Sequence, residues 1–465
     1  MLSKLFKAYD VRATYPDMLN EDAAWKIGYA TGTFLKKCNA DKPGTVLVSR
    51  DMRPSSPDLA AALIEGIRCA HMNVVDLGMC DTSFMYFAIP RLQACGGVQT
   101  TASHNPINYN GFKISRELAK PVGADTGLKD IQAIAETVGD DRPQPTGKLE
   151  HADLWDEYRE HILQFFTPPA RHMKVFIDAS NGMAGKLVPK CIEGIKHVDI
   201  VRCNFEIGRG FAHEPNPLVA ENMIPTQQGV RSECAVLGAC FDGDADRCML
   251  VDEKGQTIGC DHLTALLAHH FVSQSAANPK APTPTTVVYD LRSSKVVEET
   301  IKALGARPLK SRVGHVFMKA NLRETQGVFG GELSGHFYFR ENNFADSGAI
   351  TLVTALSVLG QQDKPMSELI APFRKYPQSG EINYKVDDKD AVLQQLESDF
   401  GKNASVDHLD GVSIDAFDRE GWWFNVRASN TEPLLRLNAE ARDKDALKKL
   451  LNKLSPILGE PAEGH

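Results

Sequence analysis

Residues 174–185 read Lys174-Val-Phe-Ile-Asp-Ala-Ser-Asn-Gly-Met-Ala-Gly185: a short apolar run, then a polar, glycine-bearing loop, followed by an amphipathic stretch over residues 186–195. Two other segments repeat the pattern. Thr45-Val-Leu-Val-Ser-Arg-Asp51 leads through a loop to residues 57–70, where Leu59, Leu63, Ile64 and Ile67 fall at helical spacing; Thr286-Val-Val-Tyr-Asp-Leu-Arg-Ser-Ser294 leads into residues 295–304. Strands alternating with helices of this length form βα units in mixed or parallel sheets. The recurrence implies related α/β domains in series.

Composition shifts suggest where those domains end. Val138-Gly-Asp-Asp-Arg-Pro-Gln-Pro-Thr-Gly147 is a polar, proline-bearing connector, and Gln361-Gln-Asp-Lys-Pro365 is a second candidate. Beyond residue 372 the character changes: residues 381–386 and 422–427 read as strands and residues 443–454 as a lysine- and leucine-rich helix, which makes a smaller α+β domain. Residues 273–284, rich in alanine, serine and proline, read as an exposed loop within a domain. The expected division is 1–148, 149–256, 257–372 and 373–465, the first three α/β.

With 465 residues the chain can bury several cores, and 42% hydrophobic and 24% charged residues are ordinary for a globular protein. It has no apolar run of membrane-spanning length, and its first residues lack the apolar centre of a secretion signal, so a cytoplasmic location without a membrane partner is expected. Ten scattered cysteines contain no Cys-x-x-Cys pair and read as small buried hydrophobes rather than as a disulfide or zinc framework. A net charge of -8 argues against broad nucleic-acid binding. Oligomeric state is not legible.

Four loops carry chemistry. In Phe241-Asp-Gly-Asp-Ala-Asp-Arg247 three carboxylates at alternate positions repel one another, and apolar flanks place them between strands, where a hard cation would neutralise them. Asp242, Asp244, Asp246 and Glu253 also fit EF-hand spacing, but Arg247 stands where that loop needs glycine and residues 248–252 look like a strand. Few protein ligands with open positions suit Mg²⁺. Arg427-Ala-Ser-Asn-Thr-Glu-Pro433 offers a guanidinium fork, two hydroxyls and an amide to a phosphate dianion, and taken alone is equally an Asn/Pro turn. In Gly330-Gly-Glu-Leu-Ser-Gly-His336, Glu332, Ser334 and His336 could meet sugar hydroxyls. Thr100-Thr-Ala-Ser-His-Asn-Pro-Ile-Asn-Tyr-Asn-Gly-Phe-Lys113 holds a candidate nucleophile, Ser103, with His104 and Lys113 as candidate bases.

In this order, and over some 330 residues, the four loops make the chain resemble the α-D-phosphohexomutase superfamily, and within it the bacterial phosphomannomutase and phosphomannomutase/phosphoglucomutase type. Residues 6–12, 216–218 and 379–383 extend the similarity to essentially the whole chain. The resemblance implies four domains around a central cleft and an active enzyme that carries Ser103 as phosphoserine. It implies Mg²⁺ held by that phosphoserine with Asp242, Asp244 and Asp246, and a hexose 1,6-bisphosphate as intermediate and activator. Lys113 corresponds to the family's acid/base candidate, with His104 and His336 as further candidates. Arg12 and Arg247 would stabilise the phosphoryl group in transit, and Arg427, Ser429, Asn430 and Thr431 would bind the non-reacting phosphate. Glu332 and Ser334 would hold the 3- and 4-hydroxyls, while Tyr9, Arg292 and His315 match other ligand-facing positions.

The expected reaction is therefore interconversion of mannose 6-phosphate and mannose 1-phosphate, supplying GDP-mannose synthesis. Phosphoglucomutase or dual activity is the alternative, phosphoglucosamine mutase a more distant one, and a metal-dependent sugar phosphatase or a non-catalytic sensor the rivals from other classes. Two positions depart from the family pattern. Ala13 replaces a frequent glycine, which would be strained if the position needed positive φ, and Arg292 stands where relatives often have lysine.

Overall fold

The computed structural model describes residues 2–40, 44–139, 141–208, 210–277, 282–429 and 434–462. They divide into two compact units, the first made of Met1–Ile258, Leu322–Phe329 and Ser334–Ser367, the second of Gly259–Asn321, Gly330–Leu333 and Glu368–His465.

In the first unit, β1 (Val11–Thr14), β2 (Thr45–Arg50), β3 (Asn73–Met79), β4 (Gly96–Thr100), β5 (Tyr109–Arg116) and β6 (Leu149–His151) form a six-stranded sheet in the order β1-β5-β4-β2-β3-β6. Strand β2 lies parallel to β3 and β4, while β5 runs antiparallel to β4 and β1, so the sheet is mixed. The helix Glu21–Cys38 shows why such segments start and stop where they do. Asn20 Oδ1 caps the Ala23 N–H at 3.0 Å, acidic residues occupy its first turn and Lys36 and Lys37 its last, matching the helix dipole. Its apolar face, with that of the helix Ser56–Cys69, completes a core containing Ala24, Ile27, Leu35, Leu63 and Ile67.

A second sheet of the same unit contains β7 (Met173–Asp178), β8 (Val198–Cys203), β9 (Leu237–Phe241) and β10 (Cys248–Asp252) in the order β10-β9-β7-β8. Strand β7 is parallel to β8 and β9, and β9 and β10 form an antiparallel hairpin. The helix after β7 spans Ala184–Cys191 and is shorter than its sequence suggests, since the chain turns through Gly194 at φ +76°.

In the second unit β11 (Thr286–Asp290) and β12 (Arg307–Ser311) are parallel. The short strand β13 (Phe329–Gly331) straddles the division between units, and β14 (Phe337–Phe339) pairs antiparallel with β15 (Ala345–Asp346) in the first. The final sheet, β16 (Gln378–Lys385), β17 (Ser405–Asp407), β18 (Val412–Asp415), β19 (Trp422–Ala428) and β20 (Leu434–Ala441), is antiparallel in the order β16-β20-β19-β18-β17. The helix Lys444–Leu458 packs Leu450, Leu454 and Leu458 into its core. The loop expected over 273–284 is partly helical, because Cys260–Ala276 is one continuous helix and alanine favours its extension.

The three repeated segments thus have one role: β2, β7 and β11 each receive a parallel neighbour and carry an aspartate at their last residue or, for β2, immediately after it. Asp51, Asp178 and Asp290 each accept the N–H two residues on, from Arg53, Ser180 and Arg292, at 3.0, 2.9 and 2.9 Å. Among the described residues no helix is long and apolar enough to cross a membrane.

Candidate active site

The carboxylate loop joins β9 to β10, whose ladder pairs Phe241 with Cys248. Asp242, Asp244 and Asp246 are buried, and each offers an oxygen within 4.8 Å of the others'. Such crowding needs positive charge, and the nearest supply is Lys113 on β5, whose ammonium donates to Asp244 Oδ2 and Asp246 Oδ2 at 2.6 Å each. Arg247 Nε donates to Asp242 Oδ2 at 2.9 Å. Burial pushes the Asp242 carboxyl up to about 7. Burial also opposes charge on Asp246, but Lys113 and His336 outweigh it and hold that carboxyl well below its ordinary range. Burial opposes charge on Lys113 too, yet Asp244 and Asp246 keep it protonated far above the usual lysine range.

Among the described residues Asp244 Oδ1 is buried without a hydrogen-bond partner. Three hard, closely spaced carboxylates whose Asp244 Oδ1 is still unsatisfied are a donor set that fits Mg²⁺.

Ser103 comes to this loop from the turn after β4. Its Oγ donates to Asp242 Oδ2 at 2.9 Å and lies 3.4 Å from His104 Nδ1. The residue has φ +50°, a region that L-residues other than Asn and Asp seldom adopt, and is 4% exposed. The approach is main chain to main chain: a Cβ on Gly243 would lie 2.3 Å from the Ser103 carbonyl oxygen. Burial drives His104 well below the ordinary histidine range, so its imidazole is neutral.

Arg12, on β1, donates to Asn105 Oδ1 at 2.6 Å and also pairs with Asp10. Ala13 beside it is an ordinary strand residue opposite Asn110 with no positive φ, so the departure from glycine carries no strain. Tyr9 lies in the bend before that strand. Ser334 Oγ and His336 Nδ1 are 2.9 Å apart, and His336 Nε2 is 3.4 Å from Asp246 Oδ1 and 3.7 Å from Asp346 Oδ2. Burial opposes charge on His336, but Asp246 and then Asp346 outweigh it and raise its pKa. The first unit therefore gathers Ser103, His104, Lys113, Arg247, His336 and the three aspartates. Thr82 and Asp346 belong with them and were not legible in the sequence.

The second unit assembles a cationic group of its own. Arg292 grips Asp290 through Nε, at 3.0 and 3.1 Å from its two oxygens, and reaches Glu381 Oε2 with a terminal nitrogen at 3.2 Å. A lysine could not make this two-ended contact. Arg427 donates to Glu381 Oε2 at 3.0 Å and Arg436 to Oε1 at 2.9 Å. Burial opposes charge on Glu381, but Arg292, Arg427 and Arg436 hold it down to about 2. Arg427 is 3% exposed and its Nε has no partner among the described residues, a buried donor available to an anion.

Glu332 Oε1 accepts the Gly314 N–H at 2.8 Å, next to His315 at the start of the helix His315–Thr325, and the Leu333 N–H donates to Asp290 Oδ2 at 3.2 Å. Asp290 thus ties Arg292 to the glycine-rich loop. Ser429 closes β19 with an N–H bond to Leu434 O at 2.9 Å, whereas Asn430 and Thr431 lie outside the described residues. Glu381 and Arg436 were not singled out from sequence, although residues 379–383 stood out as a motif.

Family models for the phosphoglucomutase/phosphomannomutase domains match the chain in series: α/β/α domain I over residues 3–141, domain II over 156–255, domain III over 260–376 and the C-terminal domain over 381–456. Phosphomannomutase of Escherichia coli K12 is 37% identical over 98% of this chain and 99% of its own. The crystal structure of a phosphoglucomutase/phosphomannomutase family protein from Burkholderia thailandensis superposes with a TM-score of 0.87 at 28% identity, covering 98% of this chain and 97% of that one. N-acetylphosphoglucosamine mutase of Aspergillus fumigatus, solved in complex with GlcNAc-6P and magnesium, shares the fold with a TM-score of 0.65 at 12% identity, over 98% and 96% of the two chains.

Proposed function

The chain belongs to the phosphoglucomutase/phosphomannomutase family and is a phosphohexomutase, and on that premise we propose that it interconverts mannose 6-phosphate and mannose 1-phosphate through phosphoserine at Ser103 and a hexose 1,6-bisphosphate. The product would feed GDP-mannose synthesis in the cytoplasm. The observation that carries the reading is Ser103 Oγ held 2.9 Å from Asp242 Oδ2, beside two further buried carboxylates. The full-length similarity to a phosphomannomutase favours mannose among the hexoses.

Asp242, Asp244 and Asp246, with the phosphate of Ser103, would hold Mg²⁺. Bound there, the ion supplies Lewis-acid withdrawal of charge from the phosphoryl group. Its use by this chain is supported by the donor set and by the magnesium of the Aspergillus fumigatus relative.

In the first half-reaction a sugar hydroxyl oxygen attacks the phosphorus of phosphoserine. The new O–P bond forms as the Ser103 Oγ–P bond breaks, and the hydroxyl proton ends on Ser103 Oγ. The bisphosphate then turns around, and its other phosphoryl group returns to Ser103 by the reverse exchange. Positioning and electrostatics do most of the work in such a transfer. Arg12 and Arg247 carry the positive charge next to the transferring group, while Lys113, His104 and His336 are the side chains suited to move the proton. Arg427, Ser429, Asn430 and Thr431 hold the resting phosphate, Glu332 and Ser334 the 3- and 4-hydroxyls, and Tyr9, Arg292 and His315 complete the ligand contacts.

The test is a turnover assay on mannose, glucose and glucosamine 1-phosphates with catalytic 1,6-bisphosphate and Mg²⁺, with Ser103→Ala alongside. Mannose 1-phosphate is turned over fastest and Ser103→Ala is inactive. Equal rates on all three sugars would defeat the mannose assignment, and inorganic phosphate as the main product would make the protein a phosphatase.

A further inference from the structure

The turn after β2 holds a buried ion pair that touches no substrate group in the reading above. Asp51 and Arg53 both have side chains that are 0% exposed, and Arg53 Nε donates to Asp51 Oδ2 at 3.1 Å. The other four guanidinium N–H groups all go to one loop. One terminal nitrogen donates to the carbonyls of Pro106 and Tyr109 at 2.5 and 3.0 Å, the other to those of Ser103 and Asn105 at 2.8 and 2.7 Å. A guanidinium has five N–H groups, so Arg53 has none left for a ligand. The Phe211 ring lies 5.5 Å from its Cζ.

The pair reaches Ser103 from both sides. The Ser103 carbonyl binds Arg53 directly. The Ser103 N–H donates at 2.9 Å to Thr101 Oγ1, which in turn donates at 2.7 Å to Asp51 Oδ2. Both peptide planes flanking the nucleophile are therefore tied to one ion pair, and Ser103 sits at φ +50°. A left-handed serine sets its Cβ against the following carbonyl oxygen, so bonds of this kind are needed to keep it there. The same turn in the second unit, Asp290-Leu-Arg292, sends its guanidinium to Glu381 instead. One repeated element thus has two fates, and the fate in the first sheet is to shape the loop of Ser103.

We propose that the Asp51–Arg53 pair is a positioning device for the nucleophile, fixing the backbone of Ser103 so that Oγ faces the carboxylate loop. The inference rests on phosphoryl transfer at Ser103, in which the Oγ–P bond forms as the sugar O–P bond breaks and the serine proton passes to the sugar oxygen. Arg53 contributes through loop geometry and not by contact with phosphate. Arg53→Lys keeps the charge but cannot span four carbonyls, and misplacement of a reacting atom by about 1 Å costs on the order of 10²-fold in rate.

The experiment compares wild type, Arg53→Lys, Arg53→Ala and Asp51→Asn by three readouts. These are amide hydrogen exchange over residues 101–111, the rate of Ser103 phosphorylation by hexose 1,6-bisphosphate followed by intact mass, and KM for the sugar monophosphate. The expected result for Arg53→Lys is faster exchange confined to that loop, phosphorylation slower by about 10²-fold and KM within about 3-fold of wild type. Guanidinium ion restores part of the rate in Arg53→Ala. Phosphorylation of Arg53→Lys at the wild-type rate, or slow phosphorylation with unchanged loop exchange, overturns the proposal. If both Arg53 variants fail to fold, Asp51→Asn, which keeps the shape but weakens the pair, decides by the same criteria. If wild type takes no phosphate at all, the mutase reading falls, and the exchange measurement still judges the positioning role.

Discussion

Thr82 Oγ1 donates to Asp244 Oδ2 at 2.5 Å, and the Thr82 N–H donates to the Asp244 carbonyl oxygen at 3.1 Å. The start of the helix Thr82–Arg91 is thereby fastened to the middle carboxylate of the loop through both its side chain and its main chain. Partners of metal ligands typically govern affinity by 10- to 100-fold. Thr82→Val should weaken Mg²⁺ binding by about that factor, while Thr82→Ser keeps it near wild type, as read by titration calorimetry. Equal affinity for the valine variant would remove the hydroxyl from the metal site.

Mg²⁺ itself should stabilise the fold, because ions that bind only the native state add to its stability by mass action. At about 100 times the dissociation constant the gain is about 2.7 kcal/mol. Thermal melts should therefore shift upward with Mg²⁺ in wild type and fail to shift in Asp244→Asn, whereas activity in wild type disappears with a chelator and returns with the ion.

Glu381 gives a pH signature. Its folded pKa, about 2, lies below the unfolded value of roughly 4.3. Its stabilising contribution is therefore present above about pH 4.3 and is lost as pH falls toward about 2. Glu381→Gln should cost on the order of 2–3 kcal/mol at neutral pH, with the gap to wild type narrowing below about pH 4. Urea unfolding across that range measures it, and a pH-independent difference would mean that the three arginines do not depend on the carboxylate's charge.

His213 should behave in the opposite sense. Its Nδ1 faces the Glu214 carbonyl at 2.8 Å and its Nε2 faces Asp178 Oδ2 at 3.1 Å, so both ring nitrogens meet acceptors and the protonated ring is favoured. The hydrogen bond to Asp178, against burial, raises its pKa. The pair's contribution is complete below the unfolded value of about 6.5 and is lost as pH rises through the raised folded value. His213→Gln should cost about 1 kcal/mol near pH 5.5 and progressively less as pH rises above about 6.5, discounted for partial exposure. A gap that grows with pH would contradict the pairing.

The sequence exposed elements whose signal is local. The runs at Thr45, Lys174 and Thr286 become β2, β7 and β11 because apolar β-branched residues next to a polar turn need no distant information to be recognised. The aspartates of the carboxylate loop were legible for the same reason: three like charges between apolar strands are improbable without a function. Thr82, Glu381 and Arg53 were not, since each works through a partner 162, 46 or about 50 residues away. Their local patterns resemble an ordinary helix start, strand residue and turn. A faint signal existed for Arg53, because Asp51-Met-Arg53 and Asp290-Leu-Arg292 repeat one spacing at equivalent strand ends.

The meeting of Gly243 with the Ser103 carbonyl has a consequence for how such a site can vary. The contact is possible only because residue 243 carries no Cβ, so the reach of the nucleophile to Asp242 depends on a glycine there and on the length and path of the two loops. Spacing is thus as constrained here as the carboxylates on either side of Gly243. A single inserted or deleted residue in either loop would put the two backbones out of step, and no compensating side chain could restore the register.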